Sequence, residues 1–287
     1  MATVYIAPTA QGSADGTSAA NAYAYSSLST AETDAGPGGT ILFTDGDYSL
    51  TATTTWDGVG TSGNDITYKS LNLQGAVIKS NVSGTLRTLN IGTGSTNTSS
   101  INVKDFKFVD INFYMKNPGE VSGNFITTST AIALPGINGF IRSTSNATGL
   151  STFINNAISL EYASGSNFER DVSSLSEFSG NTIYISGLSG KTADQLTWTY
   201  STGRDLRGCP IVKNNIFASD DTTGGVINTQ NSYASSFNNC CFFQFDDSLN
   251  GSGGTDNVFA DPQFVDSTTG DLRLRPSSPC INAGTAS

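Results

Sequence analysis

Histidine is absent from this 287-residue chain, which removes the usual general base near neutral pH and the commonest zinc ligand. Charge is scarce as well, at 13% of residues, roughly half the usual share. What charge there is leans one way: 14 Lys and Arg face 24 Asp and Glu, for a net −10. That balance excludes the basic footprint needed on a nucleic-acid backbone and disfavours an anionic membrane surface. No apolar run approaches a membrane-spanning length. After Met1 the sequence Ala-Thr-Val-Tyr-Ile has neither a basic start nor a long apolar stretch, so a secretory leader is not expected. Without that route the sequons at Asn81, Asn97 and Asn146 carry little weight. Any chemistry must therefore use carboxylates, Lys, Arg, Tyr or Cys.

Low charge is not accompanied by the poverty in aromatics that marks disordered chains. Sixteen Phe and ten Tyr are interleaved with Val and Ile, and much of the remainder is Gly, Ser, Thr and Asn, the residues of turns and solvated strands. This composition predicts an all-β protein with many turns. Four cysteines, Cys209, Cys240, Cys241 and Cys280, lack metal-site spacing and read as buried thiols rather than disulfides. The adjacent pair would point to opposite faces of a strand.

Along the chain, Thr3 to Ala7 reads as a strand, and Ser26 to Thr33 as a short helix with serine at its N-cap and an acid in an early turn. Gly36-Pro37-Gly38-Gly39 stops it. Thr40 to Thr44 is an apolar strand closed by an Asp45-Gly46-Asp47 turn, followed by Tyr48. Ile66 to Lys69 and Ala76 to Lys79 alternate weakly, and Ile101 to Phe113 alternates apolar with polar almost throughout, the period of half-buried strands. No later segment keeps a 3.6-residue period, so an α/β fold is excluded.

An asparagine recurs before an apolar pair at Asn156, Asn181, Asn215 and Asn239, with spacings of 25, 34 and 24 residues. Two spacings match one solenoid turn, and the third matches a turn carrying an insertion at about 188–207. Asp110, 46 residues before Asn156, falls near two turns. Stacked asparagines can hydrogen-bond up a ladder and tolerate the left-handed backbone of a tight corner.

The stretch Gly38-Gly39-Thr40-Ile41-Leu42-Phe43 with Gly46-Asp47-Tyr48 resembles the N-terminal cap of pectate-lyase-like β-helix proteins. The C-terminal run Asp261-Pro262-Gln263-Phe264, Gly270 to Leu274 and Pro276 to Gly284 is similar to the exit segment of that superfamily. The resemblance implies a right-handed parallel β-helix with three sheets per turn and a short N-terminal capping helix. Residues 1–39 would form the strand and cap, 40–260 the solenoid and 261–287 the exit segment, as one structural domain. The superfamily includes polysaccharide lyases and hydrolases, phage tailspikes and non-catalytic surface proteins. Among these the chain looks most like a phage virion component: a decoration, fibre or tailspike-like protein, made in the host cytoplasm, docked on other virion proteins or on itself as a homotrimer. A secreted, extracellular glycan-binding module is the alternative placement.

The sequence offers three kinds of candidate site. A lyase needs a base and a cation such as calcium; the local candidates are Arg204, Asp205 and Arg207 with Lys213, against a plain reading as a solvated loop. A hydrolase needs two carboxylates across a groove; Asp220/Asp221 and Asp246/Asp247 are 26 residues apart, against a reading as ordinary turns. The same acids, or Asp45 and Asp47, could take calcium, although none has EF-hand spacing. Trp198 and Tyr200 in the insertion could stack on sugar rings or pack the insertion onto the solenoid. The expectation is a non-enzymatic role, with no required cofactor.

Overall fold

The fold is that of a computed structural model, which describes residues 1–58, 64–92, 101–115, 118–130, 132–133, 141–143, 152–164, 176–187, 211–220, 237–244 and 254–285. It is a right-handed parallel β-helix. Its residues fall into two compact units, Met1–Phe125 with Ser143–Thr152, and Ile126–Arg142 with Phe153–Ser287.

In the first unit, strands of one sheet follow the order Tyr23–Ala24, Thr3–Ala7, Thr40–Phe43, Ile66–Ser70, Ile101–Lys104 and Pro118–Ser122. A second sheet stacks Gly46–Leu50, Ala76–Ser80 and Lys107–Val109, and a third stacks Thr54–Trp56, Arg87–Ile91 and Ile111–Met115. Every described pairing in this unit is parallel, for example Ile66↔Ile101 and Ile78↔Phe108. Alternation drives this arrangement. Ile66, Tyr68 and Ser70 point inward while Thr67 and Lys69 stand outward, as the two-residue period of a strand requires.

The long alternating run Ile101 to Phe113 is not one strand but three, one in each sheet. Asp105 (φ 65°) and Asp110 (φ 56°) turn the chain at the two corners, which their short side chains permit. Asp110 is thus a corner residue, its Oδ2 accepting from Gly84 N–H at 3.1 Å, and not the expected rung of an asparagine ladder. Gly46 and Asp47 likewise belong to a strand rather than a turn.

The core of this unit is aromatic. Phe43 meets Tyr25, Tyr48, Trp56, Tyr68 and Phe106, and Trp56 stacks on Tyr68 with centroids 4.8 Å apart and planes 5° apart. Each such fully buried ring contributes about 2–3 kcal/mol before entropy is counted. The capping helix, Leu28–Ala35, buries Leu28, Ala31 and Ala35 and packs on Thr3–Ala7 and Thr40–Phe43. Its N-cap is Ser27, but the serine makes no side-chain capping bond; a 3-10 turn, Tyr25–Ser27, leads in instead. No acid lies in its first turn. Glu32 reaches inward and accepts a 2.5 Å hydrogen bond from the Tyr68 hydroxyl. Gly36 at φ 61° closes the helix.

The second unit repeats the principle with two described sheets. One runs through Glu177–Ser179, Ile211–Lys213 and Phe237–Asn238; the other through Ala157–Ser164, Thr182–Ser186, Ile216–Ser219, Cys241–Phe243 and Val258–Phe259. Phe178, Phe217, Phe242 and Phe259 form a near-parallel stack, with planes 16°, 6° and 23° apart at successive steps. Beside it rises a polar ladder. Asn181 Oδ1 accepts from Asn156 N–H at 3.0 Å, and Asn215 Oδ1 accepts from Asn181 N–H at 2.9 Å. Asn181 and Asn215 also donate to the Phe153 and Phe178 carbonyls, at 2.9 and 3.0 Å. Asn257 repeats the pattern with Cys240 N–H and the Phe237 carbonyl.

The ladder therefore passes through Cys240, not Asn239. Asn239 sits one residue earlier, in the row of left-handed corners with Asn155, Gly180 and Asn214, at φ 54–65°. Sequence spacing alone could not separate two neighbouring rows that both favour asparagine. At Gly180 a Cβ would come within 2.3 Å of Asn155 Oδ1, which accounts for glycine in that one position.

After the last parallel strand the chain folds an antiparallel hairpin, Phe264–Asp266 with Asp271–Leu274. Phe264 and Leu272 cover Tyr184 and Ala218 on the outer face of the second sheet.

Candidate functional site: a cleft under the C-terminal hairpin

Register builds the floor of a cleft. Tyr184, Ala218 and Phe243 are aligned on three successive parallel strands and all face outward. The small Ala218 between two rings leaves a depression, into which Phe264 leans edge-on against Tyr184, with centroids 5.9 Å apart. The segments 261–264 and 275–277 rise as the wall, enclosing about 450 Å³ between floor and hairpin.

The rim is polar and closely tied. Asp220 Oδ2 accepts from Gly187 N–H at 2.6 Å, and Asp261 Oδ1 from Gln263 N–H at 2.8 Å. The Ser277 hydroxyl donates to Gln263 Oε1 at 2.6 Å, the Ser219 hydroxyl to the Gln244 carbonyl at 2.7 Å, and Arg275 Nη2 to the Val265 carbonyl at 2.9 Å. Burial raises the Tyr184 phenol above its ordinary range, partly offset by a hydrogen bond from Ser267 and reinforced by the Asp220 charge. Tyr184 is thus a neutral hydroxyl carried on an apolar ring, next to amides, hydroxyls, two carboxylates and one guanidinium. Such a lining suits the face and hydroxyls of a sugar.

Of the residues singled out from sequence, Asp220 lies in this cleft. Lys213 does not: it stands on the other sheet, 3.8 Å from Glu177, so these two are not brought together. Asp221, Asp246, Asp247, Arg204, Trp198 and Tyr200 lie outside the described residues, as does the proposed insertion. The described register between neighbouring strands is an offset of 25, Ala218↔Phe243, where the aspartate pairs are 26 apart. Asp47 is paired with Lys79 at 2.5 Å, and Asp45 accepts from Asn72 Nδ2 at 2.9 Å. Among the described residues no group of three or more acidic or cysteine side chains is gathered to hold a metal ion.

Tyr184, Gln244, Gln263 and Arg275 were not found by sequence reasoning. A signal existed: Tyr184, Ala218 and Phe243 are separated by 34 and 25 residues, a period shared with the ladder from Asn181 to Asn215 to Cys240. Reading aromatic–small–aromatic at that period would have located the depression.

No protein-family model matches the sequence, and no curated protein matches it. Among solved structures, pectate lyase Pel9A superposes with a TM-score of 0.40 at 13% identity, covering 100% of this chain and 92% of that one. A mannuronic acid-specific polysaccharide family 6 lyase from human gut microbiota superposes with a TM-score of 0.32 at 14% identity. It is covered over 54% of its length by 85% of this chain, so the chain spans about half of that enzyme. The likeness is one of chain path, already evident from the parallel pairing, and it assigns no activity.

Proposed function

We propose that this protein is a non-enzymatic, glycan-contacting β-helix, serving as an adhesive or structural part of a bacteriophage particle. The observation that carries the glycan-contacting reading is the cleft rim. Both its acids are engaged by backbone N–H groups, Asp220 by Gly187 at the end of the neighbouring strand and Asp261 by Gln263 in its own turn, and its one guanidinium donates to a backbone carbonyl. A lyase needs a base that can take a proton and a cation to acidify it, and arginine rarely gives up its own. Rim groups fixed in this way favour recognition over turnover. Within the second unit the stacked rings and asparagine ladder support a stiff solenoid, since each turn satisfies the backbone of the next. The virion placement rests on the sequence resemblance, with other virion proteins or further copies of the chain, as a homotrimer, for partners. The net charge of −10 favours neither nucleic acid nor membrane.

A second reading, cleavage of a surface polysaccharide, has one observation in its favour: Asp220 and Asp261 line the same cleft, and hydrolases use paired carboxylates. One experiment separates the two. The protein is incubated with neutral and acidic polysaccharides, with and without calcium, while reducing ends and the ultraviolet absorbance of unsaturated ends are followed. The proposal expects no turnover. Turnover lost on Asp220→Asn or Asp261→Asn would replace it with the enzymatic reading.

A further inference from the structure

The floor of the cleft is covered. Tyr184 is 8% exposed and Ala218 0%, because Phe264 and Leu272 of the C-terminal hairpin lie on them. The covering contacts are apolar, while main-chain hydrogen bonds of the hairpin run within it. Arg275 N–H donates to the Gln263 carbonyl and Ser278 N–H to the Arg275 carbonyl, each at 2.9 Å. The hairpin thus holds its own shape and rests on the solenoid as a small body. Its leading end is fixed, since Val258–Phe259 is paired into the sheet on Cys241 and Phe242. Residues 260–263 join that strand to the hairpin.

The trailing end is held differently. Asn214 and Asn239 stand at successive left-handed corners, at φ 58° and 54°, and their N–H groups donate to the Asn238 and Thr255 carbonyls at 3.1 and 3.0 Å. Those bonds fix the corner backbones, and the side-chain amides take hold of the C-terminal tail. Asn214 Nδ2 donates to the Thr285 carbonyl at 2.9 Å, and its Oδ1 accepts from Thr285 N–H at 3.0 Å. One side chain therefore pairs with the tail as a neighbouring strand would. Asn239 Nδ2 donates to the Ala283 carbonyl at 3.4 Å. Gly284, between the two, permits this approach: a Cβ there would lie 3.2 Å from Asn214 Oδ1.

We propose that the hairpin is a lid and the tail its latch. Residues 283–285, docked on Asn214 and Asn239, hold the hairpin down over Tyr184 and Ala218, and their release lets it lift about residues 260–263. With the lid down, Phe264 stands edge-on against Tyr184, with centroids 5.9 Å apart, in the place a stacking sugar ring would need. The closed state is therefore autoinhibited. The latch bonds to Thr285 are solvent-exposed, and single hydrogen bonds of that kind contribute modestly. Such an element opens locally, without unfolding the solenoid beneath it. Only the consequence for glycan binding rests on the reading of the cleft given above; the lid and latch stand on contacts within the chain.

The test reads exposure of the floor. Ala218→Cys is made in the full chain together with Cys280→Ser, and alkylation of position 218 by iodoacetamide is timed by peptide mass spectrometry. Two latch variants are compared with this parent. One combines Asn214→Gly with Asn239→Gly, glycine being the residue that already fills the same corner row at Gly180. The other is Thr285→Pro, which removes one donor from the tail and leaves the solenoid untouched. Alkylation should be faster by about tenfold or more in the first and by a smaller factor in the second, with hydrogen exchange at the Asn181 N–H unchanged. Hydroxyl-radical footprinting of Tyr184, in chains without Ala218→Cys, should rise in the same order. Equal rates in the parent and both variants would overturn the proposal, as would a rise matched at Asn181, which marks general loosening. Glycan association, measured on the same latch variants, should quicken with the alkylation. Faster alkylation with no glycan bound by any variant would uphold the lid and remove the glycan reading of its floor.

Discussion

Replacing Asn181 with alanine removes a whole rung of the ladder. Its amide is completely buried and makes four contacts: it accepts from Asn156 N–H and Nδ2 at 3.0 and 3.2 Å, and donates to the Phe153 carbonyl and Asn215 Oδ1 at 2.9 and 3.1 Å. Alanine deprives one buried backbone N–H and one buried carbonyl of these partners, at about 1–3 kcal/mol each. The void left by the amide adds roughly 1 kcal/mol. The expected loss is therefore about 3–7 kcal/mol, read as a lower urea midpoint at unchanged slope. Asn181→Asp sharpens the test. Its carboxylate keeps the acceptor for Asn156 but turns an oxygen toward the Phe153 carbonyl where a donor stood. The variant should therefore be least stable at neutral pH and recover as pH falls and the acid protonates. A loss below about 1 kcal/mol for alanine, or an aspartate variant indifferent to pH, would refute the ladder as a source of stability.

Further expectations follow the same geometry. Cys240→Asn should complete the ladder and raise stability by about 1 kcal/mol in the same urea assay. Glu32 has its carboxyl raised above the ordinary 4.5, by burial first, with the Tyr68 hydrogen bond opposing. Its folded state thus binds the proton more tightly than the unfolded chain, so its contribution is present below about 4.5 and is lost as pH rises through the higher folded value. Glu32→Gln keeps an acceptor for Tyr68 and should flatten that part of the stability–pH curve, as measured by thermal unfolding between pH 4 and 7. In the cleft, Ala218→Phe should fill the depression between Tyr184 and Phe243 and abolish glycan retention while leaving the far-ultraviolet circular dichroism unchanged.

The parts of the fold that were legible in the sequence are those written in local patterns. The strands Thr3–Ala7 and Thr40–Phe43, the helix, its glycine stop and the solenoid period all follow from short-range chemistry. The left-handed corners at Asp105 and Asp110 were hidden inside an unbroken alternation, because an aspartate at an outward strand position and one at a corner look alike in sequence. The ladder was off by one residue in its last turn because a thiol replaced the amide at Cys240 while asparagine filled the adjacent corner at Asn239. The cleft was least legible, since Tyr184, Gln244 and Arg275 come together only through register and the returning hairpin. Acid pairs drew attention in the sequence, yet the one described member, Asp220, serves as a rim group tied to Gly187 N–H.

Glycan contact at the cleft is tested by retention on immobilised glycans, comparing the wild-type chain with Tyr184→Ala and Arg275→Ala. The wild type should be retained on at least one neutral or acidic glycan, both variants should lose at least tenfold in affinity, a difference of about 1.4 kcal/mol, and the eluted glycan should be intact. Wild-type retention unaffected by either substitution, or a glycan recovered cleaved, would contradict the proposal.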